Sequence, residues 1–326
     1  MALHVHFDRL SEIEFFTELK PLLGNDIIIT AGKEKPEPAE YEILIHSSPN
    51  KDWIENSPKL RAVIIPWAGV STEVIKFMRQ YPHISLHNLH HNKYNTAELG
   101  FALLLAAAKN LVPMDQALRM NDWTTRYRMR KAVLLRGKTA LILGFGEIGQ
   151  ALASYCLGLG MKVIATRKHL ERQPVELDVQ VFTNDHLHQL LPKADVLLIT
   201  LPLTRETEDL IGEKELMLMP RGSILVNIGR GPVVNQYALY NALKNGHLLA
   251  AGSDVWYTYP DSKEEHANTP PADVPFGELE NFILSPHRGG MVDEVERQRA
   301  QALAKLLNAA NLGLPIPNRV DLDAGY

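Results

Sequence analysis

The sequence has few of the features that mark secreted or membrane proteins. Its 326 residues include one cysteine, Cys156, so an internal disulfide framework is excluded, and we expect Cys156 to pack inside a helix. No stretch approaches the roughly 20 apolar residues that span a bilayer. The first residues, MALHVHFDRLSEIEFF, lack the basic segment and apolar run of a signal peptide. These absences predict a cytoplasmic location.

An excess of positive charge is also missing. The formal net charge is -4, so the protein has no overall positive potential that would attract phosphate backbones or anionic lipids. Nucleic acid and membranes are therefore not expected as partners. The 45% apolar and 22% charged residues are typical of a folded globular protein, so we expect a small-molecule ligand.

The length predicts two domains, because one domain usually has about 100 to 200 residues. Short apolar runs alternate with helical patterns in the first hundred residues, which is typical of βα units. The predicted strands are residues 27–30, 41–46 and 61–65, and a helix is predicted at 72–80. The alanine- and leucine-rich segment 95–111 predicts one long buried helix that could connect two domains.

A second series of apolar runs begins after residue 136, and six buried strands indicate a parallel sheet. The runs are residues 139–143, 162–166, 196–201, 223–227, 250–254 and 282–285. Residues 259–275 are rich in proline and charge and predict a surface loop. A helix is predicted at 293–311, and the following segment LPIPNRV should pack back onto the first domain.

A glycine-rich turn follows the first strand of this second series. Gly144, Gly146 and Gly149 match G-x-G-x-x-G between a strand and a helix. The first glycine permits a tight turn, the second lets the backbone approach a pyrophosphate, and the third lets helix and strand pack closely. The phosphates would lie at the helix N-terminus. This context predicts a dinucleotide-binding site.

The end of the next strand distinguishes between the two nicotinamide dinucleotides. Such strands often end in an acid that binds the ribose 2′-hydroxyl, whereas Thr166, Arg167 and Lys168 stand here. A hydroxyl and two cations suit a 2′-phosphate better, because Arg can form two parallel bonds to it. We therefore favour NADP and keep NAD as the alternative.

Three further segments follow predicted strands: LPLTRET at 201–207, VNIGRGPVV at 226–234 and SPHRGG at 285–290. With GFGEIG and DVWYTYP at 254–260, they resemble the D-isomer-specific 2-hydroxyacid dehydrogenase family in order and spacing. The resemblance implies an α/β fold of two Rossmann-like domains, with a doubly wound parallel-sheet cofactor domain inserted into a flavodoxin-like substrate domain. We expect a substrate domain at 1–99, completed by 292–326, and an NAD(P)-binding domain at 100–291.

The chemistry of 2-oxo acid reduction fits two residues of these segments. Arg230 offers a planar, permanently charged fork for carboxylate and carbonyl oxygens and would stabilise the alkoxide-like charge. His287 titrates near neutral pH, so it can donate a proton in reduction and accept one in oxidation. The sequence thus predicts a hydride transfer between NAD(P)H and a small 2-oxo acid that gives the D-2-hydroxy acid.

The resemblance also implies further site residues. Asp254 would hold the nicotinamide carboxamide, and the backbone amides around Ala68, Gly69 and Val70 would bind the substrate carboxylate beside Trp67. Other residues expected to line the cofactor, with Arg230 and His287, are Phe145, Glu147, Ile148, Leu201, Pro202, Thr207, Ile228, Gly229 and Gly289.

One expected residue is absent. The family usually places a glutamate five residues after the strand-end aspartate, where it pairs with the histidine, and this position is Tyr259. A tyrosine brings no charge at neutral pH, so the imidazolium loses its ion partner. We expect an acidic pH optimum for reduction and an upward shift in the variant Tyr259→Glu.

Two alternatives stay open on the sequence. Formate dehydrogenases of the same superfamily also have a neutral residue at the position of Tyr259, and formate oxidation needs no acid-base proton transfer. A dinucleotide-sensing binding protein would keep the fold but reduce nothing. The resemblance and the long apolar helix near residue 100 further imply a homodimer. No metal site is expected, because the histidines at 83, 87, 90 and 91 have no carboxylate or cysteine partners at ligand spacing.

Overall fold

The computed structural model describes residues 2–8, 13–170 and 177–325, and these divide into two compact units. The first unit comprises Met1–Asn92 and Met291–Tyr326, and the second comprises Lys93–Gly290. The chain therefore leaves the first unit at residue 92 and returns to it at 291. The predicted boundary at 99/100 falls inside a helix, Lys93–Lys109, which belongs entirely to the second unit.

The first unit contains five parallel strands in the order β2-β1-β3-β4-β5, the flavodoxin-like order. The strands are β1 Leu3–Phe7, β2 Ile27–Ala31, β3 Ile43–Ile45, β4 Ala62–Ile65 and β5 Ser85–Asn88. Its helices are α1 Ile13–Leu19, α2 Lys51–Glu55, α3 Thr72–Met78 and α11 Val295–Asn311. Sequence reasoning found β2, β3 and β4 within two residues but missed β1 and β5.

Strand β4 shows why this sheet has helices on both faces. Ala62 and Ile64 pack with α1 and α11, whereas Val63 and Ile65 pack with α2 and α3. Alternate side chains of a strand point to opposite faces, so a run that is apolar throughout needs cover on both. The C-terminal segment contacts the edge strand, where Arg319 forms an isolated bridge with His87.

The second unit is a seven-stranded parallel sheet in the order β12-β11-β10-β9-β6-β7-β8, a Rossmann order extended by one strand. The strands are β6 Thr139–Leu143, β7 Lys162–Thr166, β8 Gln180–Phe182, β9 Val196–Ile199, β10 Ser223–Asn227, β11 Leu248–Ser253 and β12 Phe282–Leu284. The helices are α4 Lys93–Lys109, α5 Leu111–Arg119, α6 Thr124–Arg128, α7 Glu147–Gly158, α8 Leu187–Leu190, α9 Glu213–Leu218 and α10 Gln236–Lys244. The predicted doubly wound α/β architecture is confirmed; only β8 was missed in this sheet.

The predicted helix at 95–111 ends earlier than expected. Asn110 adopts a left-handed backbone conformation with φ 56°, which separates α4 from α5. Within the described residues no single helix is long and apolar enough to cross a bilayer. Among the helices that the structure describes, only the bent pair α4 and α5 has enough length and apolar character when its members are combined. Eight residues of α4 are buried in the protein.

Candidate active site

The second sheet brings the predicted chemical groups to one edge. All its strands are parallel, so their carboxyl ends lie on the same side, where open α/β sheets bind ligands. The glycine turn follows β6, Arg167 follows β7 and Arg230 follows β10. Asp254 follows β11, and His287 lies three residues after β12.

The glycine turn has the steric properties of a phosphate cradle. Gly144 has φ 97°, which favours glycine. A Cβ on Gly149 would lie 2.3 Å from the carbonyl oxygen of Gly144, whereas a Cβ on Gly146 would meet nothing within 4 Å. The backbone is therefore tightly packed around Gly149, whereas there is open space beside Gly146. The amides of the first turn of α7 have no intrahelical acceptors and suit an anion.

A threonine that sequence reasoning missed supports this turn. The Thr200 hydroxyl donates to the carbonyl oxygen of Gly144 at 2.6 Å. The amides of Gly144 and Phe145 both donate to the carbonyl of Thr166, at 3.2 and 2.8 Å. Phe145 is fully buried in the core of the unit, so only its backbone can face a cofactor. The Glu147 carboxylate forms an ion pair with Lys93 at 2.6 Å.

The end of β7 differs in part from the prediction. Thr166 is 1% exposed, and its buried hydroxyl has no hydrogen-bond partner among the described residues. A side chain packed inside the unit is a poor phosphate ligand, which corrects the role given to Thr166. Arg167 is half-buried and Lys168 is exposed. The Lys168 ammonium forms an ion pair with Glu206 at 2.7 Å. The planar fork of Arg167 can form two parallel bonds to a phosphate, which makes Arg167 the stronger candidate for a 2′-phosphate.

The loop after β9 is organised from within. Thr207 donates its hydroxyl hydrogen to the carbonyl oxygen of Pro202 at 2.6 Å and accepts from the amide of Thr204 at 2.8 Å. Leu201 is buried, and a Cβ on Gly229 would lie 2.5 Å from its carbonyl oxygen. Glycine at 229 thus allows the loops after β9 and β10 to approach closely.

Arg230 is held by the turn that carries it. The Asn227 side chain donates to the carbonyl oxygen of Arg230 at 2.9 Å and accepts from the amide of Gly229 at 3.0 Å. The guanidinium donates to the carbonyl of Gly229 at 2.6 Å, which uses one of its five N–H donors. Burial lowers the pKa of Arg230, but that pKa starts so high that the group stays charged. Ile228 before it is 5% exposed.

His287 lies beside Tyr259. Their ring centroids are 5.5 Å apart with an interplanar angle of 51°. The Tyr259 hydroxyl oxygen accepts a hydrogen bond from the amide of Trp256 at 3.0 Å. Desolvation and then the positive charge of Arg230 lower the pKa of His287, and the Asp254 carboxylate opposes them. Tyr259 thus occupies the place beside the imidazole without supplying a negative charge.

Asp254 is 2% exposed, and its carboxylate accepts bonds from the His287 loop. One of these comes from the amide of Gly289 at 2.8 Å. A Cβ on Gly289 would lie 3.0 Å from Asp254 Oδ2, so this contact favours glycine. The other two bonds come from the Ser285 hydroxyl and the amide of Arg288. Sequence reasoning missed Ser285, whose signal is a hydroxyl residue directly after a strand and two residues before the histidine.

The predicted substrate loop belongs to the first unit. Trp67, Ala68, Gly69 and Val70 follow β4, and all four are half-buried. The carbonyl oxygen of Ala68 accepts from the Asn88 side chain at 2.7 Å, and that of Trp67 accepts from the amide of Leu89 at 3.2 Å. The loop is therefore fixed by its carbonyl groups at the end of β5.

The histidines near residue 90 have separate environments. His87 is 2% exposed, with its ring nitrogens near the carbonyl oxygen of Pro317 at 2.8 Å and the Ser85 hydroxyl at 2.9 Å. Burial, and then the positive charges of Arg299 and His90, lower the pKa of His91 to about 4. Among the described residues, no three His, Cys, Asp or Glu side chains are grouped as metal ligands would be.

Comparisons with known proteins agree on one family. Residues 101–289 match the model described as "D-isomer specific 2-hydroxyacid dehydrogenase, NAD binding domain". A glyoxylate reductase from Thermococcus litoralis is 35% identical over 86% of this chain and 82% of its own length. A D-3-phosphoglycerate dehydrogenase from Methanocaldococcus jannaschii is 29% identical over 98% of this chain and 58% of its own length.

A solved structure has the same fold. It is the D-isomer specific 2-hydroxyacid dehydrogenase from Xanthobacter autotrophicus Py2 in complex with NADPH and MES. It superposes on this chain with a TM-score of 0.81 at 24% identity, and the match covers all of both chains. At this identity the likeness establishes the architecture of the chain, and the site residues rest on the geometry above.

Proposed function

Because the chain belongs to the D-isomer specific 2-hydroxyacid dehydrogenase family, we propose that it reduces a small 2-oxo acid to the D-2-hydroxy acid with NADPH. Membership itself makes the chain an NAD(P)-dependent oxidoreductase of 2-hydroxy acids. The proposal adds the direction, the favoured cofactor and the residues. One observation carries it: neighbouring strands β10, β11 and β12 end in Arg230, Asp254 and the His287 loop.

In this proposal Arg230 anchors the substrate and His287 donates the proton. The guanidinium would bind the carboxylate and carbonyl oxygens and stabilise the charge that develops on the carbonyl oxygen. His287 would donate its proton to that oxygen, and in oxidation it would take the proton back. A bound nicotinamide would supply or accept the hydride. The lowered pKa of His287 makes its imidazolium a stronger acid than a free histidine.

The turn around Gly146 fits a dinucleotide. The open space above Gly146 and the free first-turn amides of α7 would receive the pyrophosphate. Arg167 would bind the 2′-phosphate of NADP with two parallel charge-assisted bonds. Backbone groups of Glu147, Ile148 and Gly149 would lie against the phosphates.

Small 2-oxo acids are the substrates to test first. Glyoxylate leads the panel because the relative from Thermococcus litoralis is named glyoxylate reductase and spans most of this chain. The amides of Ala68, Gly69 and Val70 would bind the substrate carboxylate, and Trp67 would limit the size of the side chain. Hydroxypyruvate and phenylpyruvate extend the panel to larger groups.

The test follows loss of NADPH and NADH absorbance with each oxo acid between about pH 5 and 9. Turnover should vanish in His287→Ala and fall steeply in Arg230→Ala. The matched control is His266→Ala, which changes an exposed histidine of the surface loop. Oxidation of NADPH that survives in His287→Ala would refute the acid role. Reduction of NAD by formate, without oxo-acid turnover, would favour the formate alternative that Tyr259 permits.

We also propose a homodimer, on the basis of one surface of the second unit. Helices α5 and α6 contain no buried residue. Met120, Trp123 and Tyr127, in and next to α6, are 79%, 59% and 78% exposed, and large apolar side chains that are exposed as a patch mark association sites. Light scattering should give a dimer mass, and the double variant Trp123→Glu with Tyr127→Glu should give a monomer.

A further inference from the structure

The loop that carries His287 has an unusual backbone. His287 has φ 57°, in the left-handed region that residues other than glycine rarely adopt. Such a conformation persists only where the surroundings hold it, and at functional sites it commonly sets the direction of a side chain. Groups around the loop must therefore hold His287 in this state.

Asp254 holds the loop on both sides of His287. Its Oδ1 atom accepts from the Ser285 hydroxyl at 2.5 Å and from the amide of Arg288 at 2.8 Å. Its Oδ2 atom accepts from the amide of Gly289 at 2.8 Å. The carboxylate is 2% exposed, and bonds to an ionised acceptor away from water are strong. One buried side chain thus connects residues before and after the histidine.

Ser285 is held in place by hydrogen bonds of its backbone as well as of its side chain. Its amide donates to the carbonyl of Ser253 in the neighbouring strand at 2.9 Å. Its own carbonyl oxygen accepts from the Trp256 indole at 2.8 Å and from the amide of His287 at 3.1 Å. Every polar group of Ser285 therefore has a partner, and one of these partners is the backbone of His287.

We propose that Ser285 and Asp254 are positioning residues that fix the left-handed backbone of His287 and thereby direct its imidazole. This inference rests on the proposed acid role of His287. An ionised carboxylate has about four acceptor positions, and the three bonds leave one on Oδ2. Asp254 can therefore hold the loop and still accept one bond from a ligand. Its negative charge also supports the protonated imidazole.

The variant Ser285→Ala removes one bond and leaves the buried carboxylate in place. We expect kcat for oxo-acid reduction to fall about 10- to 100-fold, because a small misplacement of a reacting group has this effect. The KM for NADPH should change little. Ser285→Thr, which keeps the hydroxyl, should restore most of kcat. Ser223→Ala is the control, because it deletes a serine hydroxyl that is buried in the same unit and has no hydrogen-bond partner among the described residues.

Asp254→Asn gives an independent measurement on the same loop. It removes the negative charge, so the limb of the pH–rate profile that reports His287 should move to lower pH. Thermal unfolding of each variant shows whether it is folded, and the His287 ring resonance in histidine-labelled protein reports the loop even where turnover is low. That resonance should shift in Ser285→Ala and stay in place in Ser223→Ala.

Three results would overturn the inference. The first is an unchanged kcat and an unchanged His287 resonance in Ser285→Ala. The second is a Ser285→Ala variant in which the KM for NADPH rises while kcat is unchanged, since Asp254 would then be a cofactor ligand alone. The third is an equal loss of kcat in Ser285→Ala and Ser285→Thr. Full turnover in His287→Ala is a separate result, since it would remove the proposed function itself.

Discussion

Two alanine substitutions three residues apart should separate packing from cofactor binding. In Gly149→Ala the new Cβ would lie 2.3 Å from the carbonyl oxygen of Gly144, so one of the two backbones must move by about 1 Å. Gly144 cannot move easily, because Thr200 donates to its carbonyl oxygen and its amide donates to Thr166. Overpacking of this kind lowers the free energy of unfolding by about 1 to 3 kcal/mol. For a unit of this size, the Tm should fall by several degrees.

Gly146→Ala should weaken cofactor binding and leave stability nearly unchanged. A Cβ at this position would meet nothing within 4 Å, and Gly146 has φ -87°, which any residue adopts. The free energy of unfolding should therefore change by less than about 1 kcal/mol, the usual effect at a helix N-cap. The methyl group would occupy the space where the backbone meets a pyrophosphate. We expect NADPH to bind at least about tenfold more weakly, which corresponds to about 1.4 kcal/mol.

The assay is thermal unfolding of both variants without ligand and calorimetric titration of each with NADPH. The expected pattern is a lower Tm for Gly149→Ala and a normal Tm with weak binding for Gly146→Ala. Wild-type affinity in Gly146→Ala would show that no phosphate approaches this residue, and the cradle would have to be abandoned. A wild-type Tm in Gly149→Ala would refute the packing argument alone.

Three further predictions concern charged or titratable side chains. Arg167→Ala should raise the KM for NADPH about tenfold or more while the KM for NADH changes little; equal changes would exclude a 2′-phosphate contact. Tyr259→Glu should move the pH optimum of oxo-acid reduction upward, because a carboxylate beside His287 raises its pKa, and an unchanged profile would contradict this. His91 has a pKa of about 4 against an ordinary 6.5, so the unfolded chain takes up a proton that the folded chain does not. Denaturant titrations should show that His91→Gln loses about 3 kcal/mol less of its free energy of unfolding than the wild type between pH 6.5 and 4.

Sequence reasoning located the long and strongly apolar elements well. Strands β6, β7 and β10 match their predicted bounds, since each has at least three consecutive apolar residues at its centre. It missed β1, β5 and β8, which contain histidine, asparagine or glutamine. These polar side chains break the apolar pattern, and tertiary pairing decides their conformation. His6 in β1, for example, is buried and bonded to Thr30 and Gly32.

The site was predictable wherever a residue type follows a strand. Parallel strands end on one edge, so Gly144, Arg230, Asp254 and His287 could be placed together from the order of the chain alone. The internal bonds of the loops could not be predicted. Thr166 and Thr207 looked like ligand-facing hydroxyls, yet one is buried and the other bonds to its own loop. Sequence spacing gives no information on which way a short polar side chain turns.

Tyr259 has a consequence that goes beyond the position of a pH optimum. A lower pKa makes the imidazolium of His287 a stronger acid, but it also makes the protonated form less abundant at neutral pH. A glutamate would reverse both effects, because it would stabilise the charged ring. At acid pH, where His287 is protonated in both proteins, the wild type should therefore turn over faster than Tyr259→Glu. Near neutral pH the variant should be the faster of the two. The two profiles should cross, whereas superimposed profiles would show that a carboxylate at position 259 does not act on the imidazole.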